Sequence, residues 1–505
     1  MKKYLSLLFI VLVVGCTGPK KPGTAASEPY MADWKSLAKH EASPKWFRDA
    51  KLGIYFHWGV YSVPAYGSEW YPRFMHLEGH DIYRHHLETY GHPSEFGYHD
   101  FVPLFKAEHF DAAEWAELFQ KAGARFAGPV AEHHDGFAMW DSEATPWNVA
   151  DMGPEKDITG LLAAELKKRD MKLITTFHHA KQLQRYDSLK TEGHEPYKWS
   201  HYPWNLEMPT SSDDPKLQKL YGNMPEDQWL EEIWFGKVKE VIDQYEPDII
   251  WFDYVLDMIP EEYRKKFSAY YLNEAAKWKK EVVIVRKQED LPINYTVDDL
   301  EKSRKNKIGM EPWMTDETIS KGSWCYTEDL EIKGSADVLH VLIDIVSKNG
   351  VLLLNVSPKA DGTIPENQKQ VLLDMGAWLD HFGESIYGTR PWYTFGEGPT
   401  KEPEGHFKNH QEFLKIKYSW KDVRYTTKGD LIYATLLGWP GAGEEIVLSA
   451  FAEDNLSDPL EIVYVSLMGS DETIEWQLDD QGLSLLTPSE APDEMAVVFK
   501  IETAK

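Results

Sequence analysis

Six side chains able to hold or move a proton stand just past short stretches that read as strands. His57 follows LGIYF, His133 and His134 follow FAGPVAE, and His178 follows KLITTF. Asp253 follows IIWF, and Glu301 closes the run 295–300. A carboxylate at the end of a buried strand can act as a nucleophile or base, or it can merely cap the next loop. His57 shares its loop with Glu69 and Trp70, and a His and a Glu converging there suit hydrogen bonding to a polyhydroxylated ligand. Two adjacent His beside Asp135 invite a metal reading. Metal-binding His pairs recur at helical spacing, however, whereas neighbours on a strand point to opposite sides. No metal is therefore expected.

The elements that position these groups alternate. Strands read over 52–56, 126–131, 172–177, 248–252, 281–285, 295–300 and 351–356. Helices read over 111–123, 159–168, 227–245, 260–279, 333–348 and 365–382. The first helix has Asp111 as N-cap, Glu114 three residues on and Gly123 as its stop. Past its entry at Asp248, the 248–252 strand is a continuous apolar run, as in a parallel sheet covered on both faces. This rhythm, with its polar groups at strand ends, predicts an α/β fold: a (β/α)8-like TIM barrel, irregular in places, with its site at the C-terminal face. Residues 181–228 form a long polar and aromatic insertion of the kind that makes a lid or rim. Past Trp392 the runs become short and alternating, which predicts a C-terminal antiparallel β-sandwich. The expected domains are a barrel over 31–392 and a sandwich over 393–505.

Bulk composition narrows the partners. The 505 residues carry a net charge of −28 without a long basic run, which excludes nucleic acid. Twenty Trp, 26 Tyr and 21 Phe supply faces that stack on sugar rings. There are two cysteines, Cys16 and Cys325, so no disulfide framework is expected. Residues 1–16 run from Lys2-Lys3 through an apolar stretch too short to span a bilayer, and end in VVGC. They resemble a bacterial lipoprotein signal, with Cys16 the acylated residue and 17–30 a flexible tether. The expected location is the cell envelope, lipid-anchored and facing the periplasm, with cell-surface display the alternative. An oligomer is compatible with all of this.

IYFHWGVYSVPA with SEWY, EHHDGFAMWDS, PDIIWFD, GSWCY and NGVLLLNVSPKADGTIP, in that order, resemble the α-L-fucosidases of glycoside hydrolase family 29. The resemblance runs from about residue 34 to Trp392 and continues into DVRYTTKGDLIYATLLGWP. It implies a retaining exo-α-L-fucosidase (EC 3.2.1.51) that needs no cofactor and acts on fucosylated oligosaccharides or glycoconjugates. It places the nucleophile on Asp253 and the acid/base on Glu301 of DDLEKSR, with Glu311 of GMEPW as rival. Fucose-binding roles fall on His57, Glu69, Trp70, His133, His134 and His178, and a basic contact on Lys287. Tyr55, Trp251 and Trp324 would line the pocket for the sugar's methyl group. Tyr254, Lys302-Ser303, Met314 and Phe177 depart from the family's pattern, the first three near the pocket rim. An α-L-galactosidase-like enzyme and an inactive glycan-binding lipoprotein are the alternatives.

Overall fold

The computed structural model describes residues 28–184, 200–205, 207–403, 410–456 and 460–504. Cys16, most of the expected tether and part of the insertion lie outside the described residues. No helix among the described residues is long and apolar enough to cross a membrane.

Eight parallel strands close a barrel: β1 (Leu52–Phe56), β2 (Phe126–Glu132), β3 (Lys172–Phe177), β4 (Ile249–Phe252), β5 (Val283–Lys287), β6 (Val297–Asp299), β7 (Trp313–Thr318) and β8 (Gly350–Val356). Closure comes from β8 pairing with β1, Leu52 opposite Leu352 through Phe56 opposite Val356. β4 shows how side chains are sorted. Ile249 and Trp251 pack inside the barrel with Val283, Val285, Val297, Met314 and Leu353. Ile250 and Phe252 face outward to Trp234, Phe267 and other helix residues. With both faces covered, a strand needs no polar alternation.

The expected irregularity is real. Helices Ala112–Lys121, Ile158–Lys168, Gly236–Tyr245, Glu261–Trp278, Ser335–Ser347 and Glu366–Phe382 cover the barrel, but only short turns and loops follow β5 and β6. The 227–245 helix is interrupted by a π-helical stretch, Trp229–Phe235. β7 was not foreseen from the sequence, because Asp316 and Glu317 break its apolar run. β5 lies two residues later than the 281–285 reading, so Lys287 is its last residue.

Past the barrel come β9 (Arg390–Glu397), β10 (Val423–Lys428), β11 (Leu431–Leu436), β12 (Glu445–Leu448), β13 (Ile462–Leu467), β14 (Trp476–Asp479), β15 (Gly482–Leu486) and β16 (Val497–Thr503). They form antiparallel sheets of five and three strands, ordered β13-β16-β11-β10-β9 and β12-β15-β14. Both sheets contribute to one apolar core that includes Ile446, Leu483, Tyr425 and Phe499. Trp378 donates its indole N–H to the Ala496 carbonyl at 2.9 Å, and His340 meets the Met495 carbonyl at 2.7 Å, docking this unit on the last barrel helices.

A register break between Val130 and Glu132 takes the end of β2 out of phase. Glu132 meets Lys237 at 2.8 Å, with both side chains wholly buried. Removing one partner of such a pair leaves a charge stranded in a medium that cannot solvate it. Lys237→Met is expected to cost about 3–5 kcal/mol in denaturant unfolding. Adding Glu132→Gln should recover a large part of that loss; a double variant no more stable than the single one would show that the pair is not what holds this turn.

Candidate active site

Period-two alternation carries the interior positions up to the barrel mouth. Asp253 lies two residues past Trp251, Lys287 two past Val285, Asp299 two past Val297, Asp316 two past Met314 and Asn355 two past Leu353. Each of those apolar residues belongs to the barrel interior. His178 continues the phase of Ile174 in the same way. The top layer of a parallel barrel is thereby polar, and it floors a cavity of about 850 Å³.

Lys287 is the centre of that layer. Its ammonium lies 3.1 Å from Asp253 Oδ1, 2.9 Å from Glu301 Oε2 and 3.4 Å from Asp316 Oδ2. Because one nitrogen touches both, those Asp253 and Glu301 oxygens stand no more than about 6 Å apart. Burial alone would neutralise Lys287, but the charges of Asp316, Glu301, Asp253 and Asp299 raise its pKa well above the usual lysine range.

The carboxyl groups divide accordingly. Burial pushes Asp253 up, yet Lys287, His178 and the His134 contact outweigh it and hold the group well below the ordinary carboxylate range. Glu301 is raised to about 7: burial dominates, and the Asp316 and Asp253 charges add to it against the pull of Lys287. Asp299 is raised well above its usual range by burial and then by the Asp316 charge. At neutral pH the site thus holds one firmly ionised carboxylate and one carboxyl poised to keep or release its proton.

Imidazoles wall the other side. His134 Nε2 and His178 Nδ1 each lie 3.3 Å from Asp253 Oδ2. Burial holds His57 and His133 well below the usual histidine range, and takes His134 to about 4, so these rings are neutral. The Asn355 side-chain oxygen accepts from the His57 amide at 2.9 Å and lies 2.8 Å from its Nδ1, which assigns the ring proton to Nδ1. Asn355 is itself fixed by donating to the Trp324 carbonyl at 2.8 Å. Glu69 accepts from Ser323 Oγ and the Trp324 amide, both at 3.2 Å.

The expected residues converge, with three corrections. His57, Glu69, Trp70, His133, His134, His178, Asp253, Lys287, Glu301 and Trp324 all line the cavity. Tyr55 and Trp251 do not. Tyr55 lies beneath it, donating to Asp316 at 3.2 Å, and the Trp251 ring lies under the Lys287 ammonium at 4.6 Å. They sit one interior layer lower, so they support the floor. His133 and His134 both face the cavity, with ring centres 4.7 Å apart, because β2 has ended at Glu132 and strand alternation no longer applies. Glu311 is exposed and does not line the cavity. The sequence reading missed Asp299 and Asp316. Charged residues facing a lysine across neighbouring strands are the signal that would have found them. His57, His133 and His178, and separately His134, His178 and Asp253, bring ligand atoms within 4.8 Å and could share a cation. In the second set Asp253 already has the Lys287 ammonium as its counter-charge.

A barrel mouth that pairs an ionised carboxylate with a proton-holding carboxyl, ringed by neutral hydrogen-bonding groups, defines a glycoside hydrolase. Comparison with known proteins gives the family. A sequence model described as Alpha-L-fucosidase matches residues 19–384, and one described as Alpha-L-fucosidase C-terminal domain matches 418–502. Tissue alpha-L-fucosidase of Rattus norvegicus is 30% identical, over 95% of this chain and 93% of that protein. The Homo sapiens tissue enzyme is 29% identical over 99% and 97%. The crystal structure of Thermotoga maritima alpha-fucosidase in complex with fucose superposes with a TM-score of 0.72 at 27% identity, covering 94% of this chain and all of that one. The chain belongs to the α-L-fucosidase family.

Replacing Lys287 by Met strands buried carboxylates without their cation. Their folded-state pKa values rise above the unfolded ones, so the folded variant binds extra protons and is favoured as pH falls. The variant is expected to be about 3–5 kcal/mol less stable than wild type near pH 8, with the gap narrowing toward pH 5. Denaturation midpoints across that range check it; a pH-independent gap would mean that lost packing, and not charge, sets the cost.

Proposed function

We propose that this chain removes terminal α-linked L-fucose from glycans by double displacement, with Asp253 as nucleophile and Glu301 as acid/base. The observation that carries the reading is the shared Lys287 contact. It keeps the two carboxyl oxygens within about 6 Å. Retaining glycosidases need about 5–5.5 Å, whereas inverting ones leave about 6.5–9.5 Å for a water.

Ionised Asp253 attacks the anomeric carbon while Glu301 gives its proton to the departing oxygen. The C1–O bond breaks and a fucosyl ester forms. Glu301, now a carboxylate, takes a proton from water, and that water's oxygen attacks C1, releasing fucose and freeing Asp253. The neutral rings of His57, His133 and His134, with His178 and Glu69, hold the sugar's hydroxyls and fix its orientation. Trp70 and Trp324 supply apolar faces.

Asp253→Gly should reduce turnover of aryl α-L-fucosides by several orders of magnitude, and azide should restore part of it. Glu301→Ala should harm substrates with poor leaving groups far more than activated ones. NMR of the first-formed product should show the α anomer; a β product would rule out double displacement. In wild type, kcat/KM should fall as pH rises through about 7, because deprotonated Glu301 cannot donate. The acidic limb should lie far lower, where Asp253 protonates. An alkaline limb that survives Glu301→Gln unchanged would remove Glu301 from the acid role. Parallel assays on aryl α-L-galactosides separate the related specificity, and fucosylated-glycan binding without release would favour a non-catalytic lectin-like role.

From the sequence alone we further propose that Cys16 is acylated and tethers the enzyme to the cell envelope. Cys16→Ser should move the protein from the membrane to the soluble fraction and abolish fatty-acid labelling. Retained labelling would place the anchor elsewhere.

A further inference from the structure

The loop carrying Glu301 is tied to the barrel on one side and to the C-terminal unit on the other. Toward the barrel, the Leu300 amide donates to the Met314 carbonyl at 3.0 Å and the Lys302 amide to the Asp316 carbonyl at 2.8 Å. The Thr315 hydroxyl reaches the Leu300 and Ser303 carbonyls. Lys302 has a φ of 45°, so the chain turns sharply just past Glu301. The Arg304 side chain then reaches the C-terminal unit. Its Nη1 donates to the Tyr418 hydroxyl at 3.0 Å, and its guanidinium lies 5.0 Å from the centre of the Phe413 ring.

Tyr418 is held from behind. Its hydroxyl donates to Glu402, which pairs with Lys348 and, at 3.0 Å, with Arg424 of β10. Asp344 completes the network, 2.8 Å from Lys348 and 2.6 Å from Arg424. All of these charges are buried, and a buried charge moves only if its partners move with it. Gln411, on the same strap as Phe413 and Tyr418, lines the active cavity.

We infer that Arg304 and Tyr418 are positioning residues for the general acid: the C-terminal unit, through Tyr418, sets where the Glu301 loop stands above the leaving oxygen. The inference rests on Glu301 being the acid/base. Proton transfer requires about 2.6–3.2 Å between heavy atoms, and a misplacement near 1 Å can cost about a hundredfold. Glu301 cannot rely on its side-chain contact alone, because the Lys287 ammonium it meets is shared with Asp253 and Asp316. The backbone of the loop therefore fixes the proton's position, and Arg304 is where that backbone meets something outside the barrel.

Tyr418→Phe deletes the hydroxyl and keeps the ring; Arg304→Lys is the second variant should the first not fold. Each is assayed on α-L-fucosides of graded leaving group. For sugar and alkyl leaving groups kcat/KM should fall about tenfold, while for nitrophenolate it should change less than about twofold. On a Glu301→Gln background, with no proton left to place, Tyr418→Phe should cause no further loss with aryl fucosides of intermediate leaving group. No loss at all, an equal loss for every leaving group, or a loss that persists in Glu301→Gln overturns the inference. If Glu301→Gln alone lacks leaving-group dependence, the acid assignment is what has failed. If it shows that dependence and Tyr418→Phe does not, only the positioning role falls.

Discussion

One ammonium shared among more carboxyl groups than it can neutralise is the constraint on which this site depends. Lys287 faces Asp253, Glu301 and Asp316 at hydrogen-bonding or near-bonding distance, with Asp299 close behind. In a medium that solvates charge poorly, a single cation cannot keep four carboxylates ionised. Protons must be retained somewhere, and local contacts decide where. Asp253 has two imidazoles besides Lys287 and loses its proton; Asp299 faces the Asp316 charge and keeps its own. Glu301, at the edge of the cluster, falls between the extremes. Two carboxyls of opposite proton affinity thus follow from scarcity of positive charge, without a separate device for each.

The rest of the barrel mouth makes that scarcity tolerable. Neutral histidines add hydrogen-bonding capacity without adding charge, and their neutrality comes from burial. Asn355 selects the His57 proton and in turn holds the Trp324 carbonyl, so one amide orients both a polar and an apolar wall of the cavity. Beneath, the Trp251 ring and the Tyr55 hydroxyl meet the Lys287 ammonium and Asp316. A quadrupole and a weak donor cushion the floor where a further charge would upset the balance.

What could be read in the sequence follows from the same physics. His57, His178 and Asp253 were legible because an apolar run announces a buried strand and the next polar residue falls at its mouth. Asp299 was not, because it follows Asp298 within the 295–300 reading and nothing local says which of the two faces the interior; Asp316 was not, because a charge inside a strand erases the run that would have revealed it. Its burial is tolerated only through Lys287, which arrives from another strand at a distance the sequence does not record. The same blindness hid β7 and set the 281–285 reading two residues early, since Lys287 looks like the end of a strand's apolar content and is in fact its last interior position. Tyr55 and Trp251 were placed in the right column and the wrong layer: alternation gives the face of a strand, and depth along the barrel needs the neighbours' register. The Arg304 contact with Tyr418 joins residues 114 positions apart and left no local trace.

The shared cation also suits a reaction in which the two carboxyls exchange roles. In the proposed double displacement, Asp253 is charged before attack and claims much of the Lys287 field, which leaves Glu301 with its proton. If Asp253 becomes an ester, it surrenders its charge. Glu301 then loses a repelling neighbour and gains a larger share of Lys287. Both changes lower its pKa, at the step where it must hold charge and accept a proton from water. When the ester is cleaved both effects reverse, and Glu301 regains its affinity for a proton. No conformational change is required for this alternation; a fixed cation and a nucleophile that changes charge suffice. A lysine placed beside only one of the two carboxyls would tune that group once, whereas one placed between them couples each protonation state to the covalent state of the other.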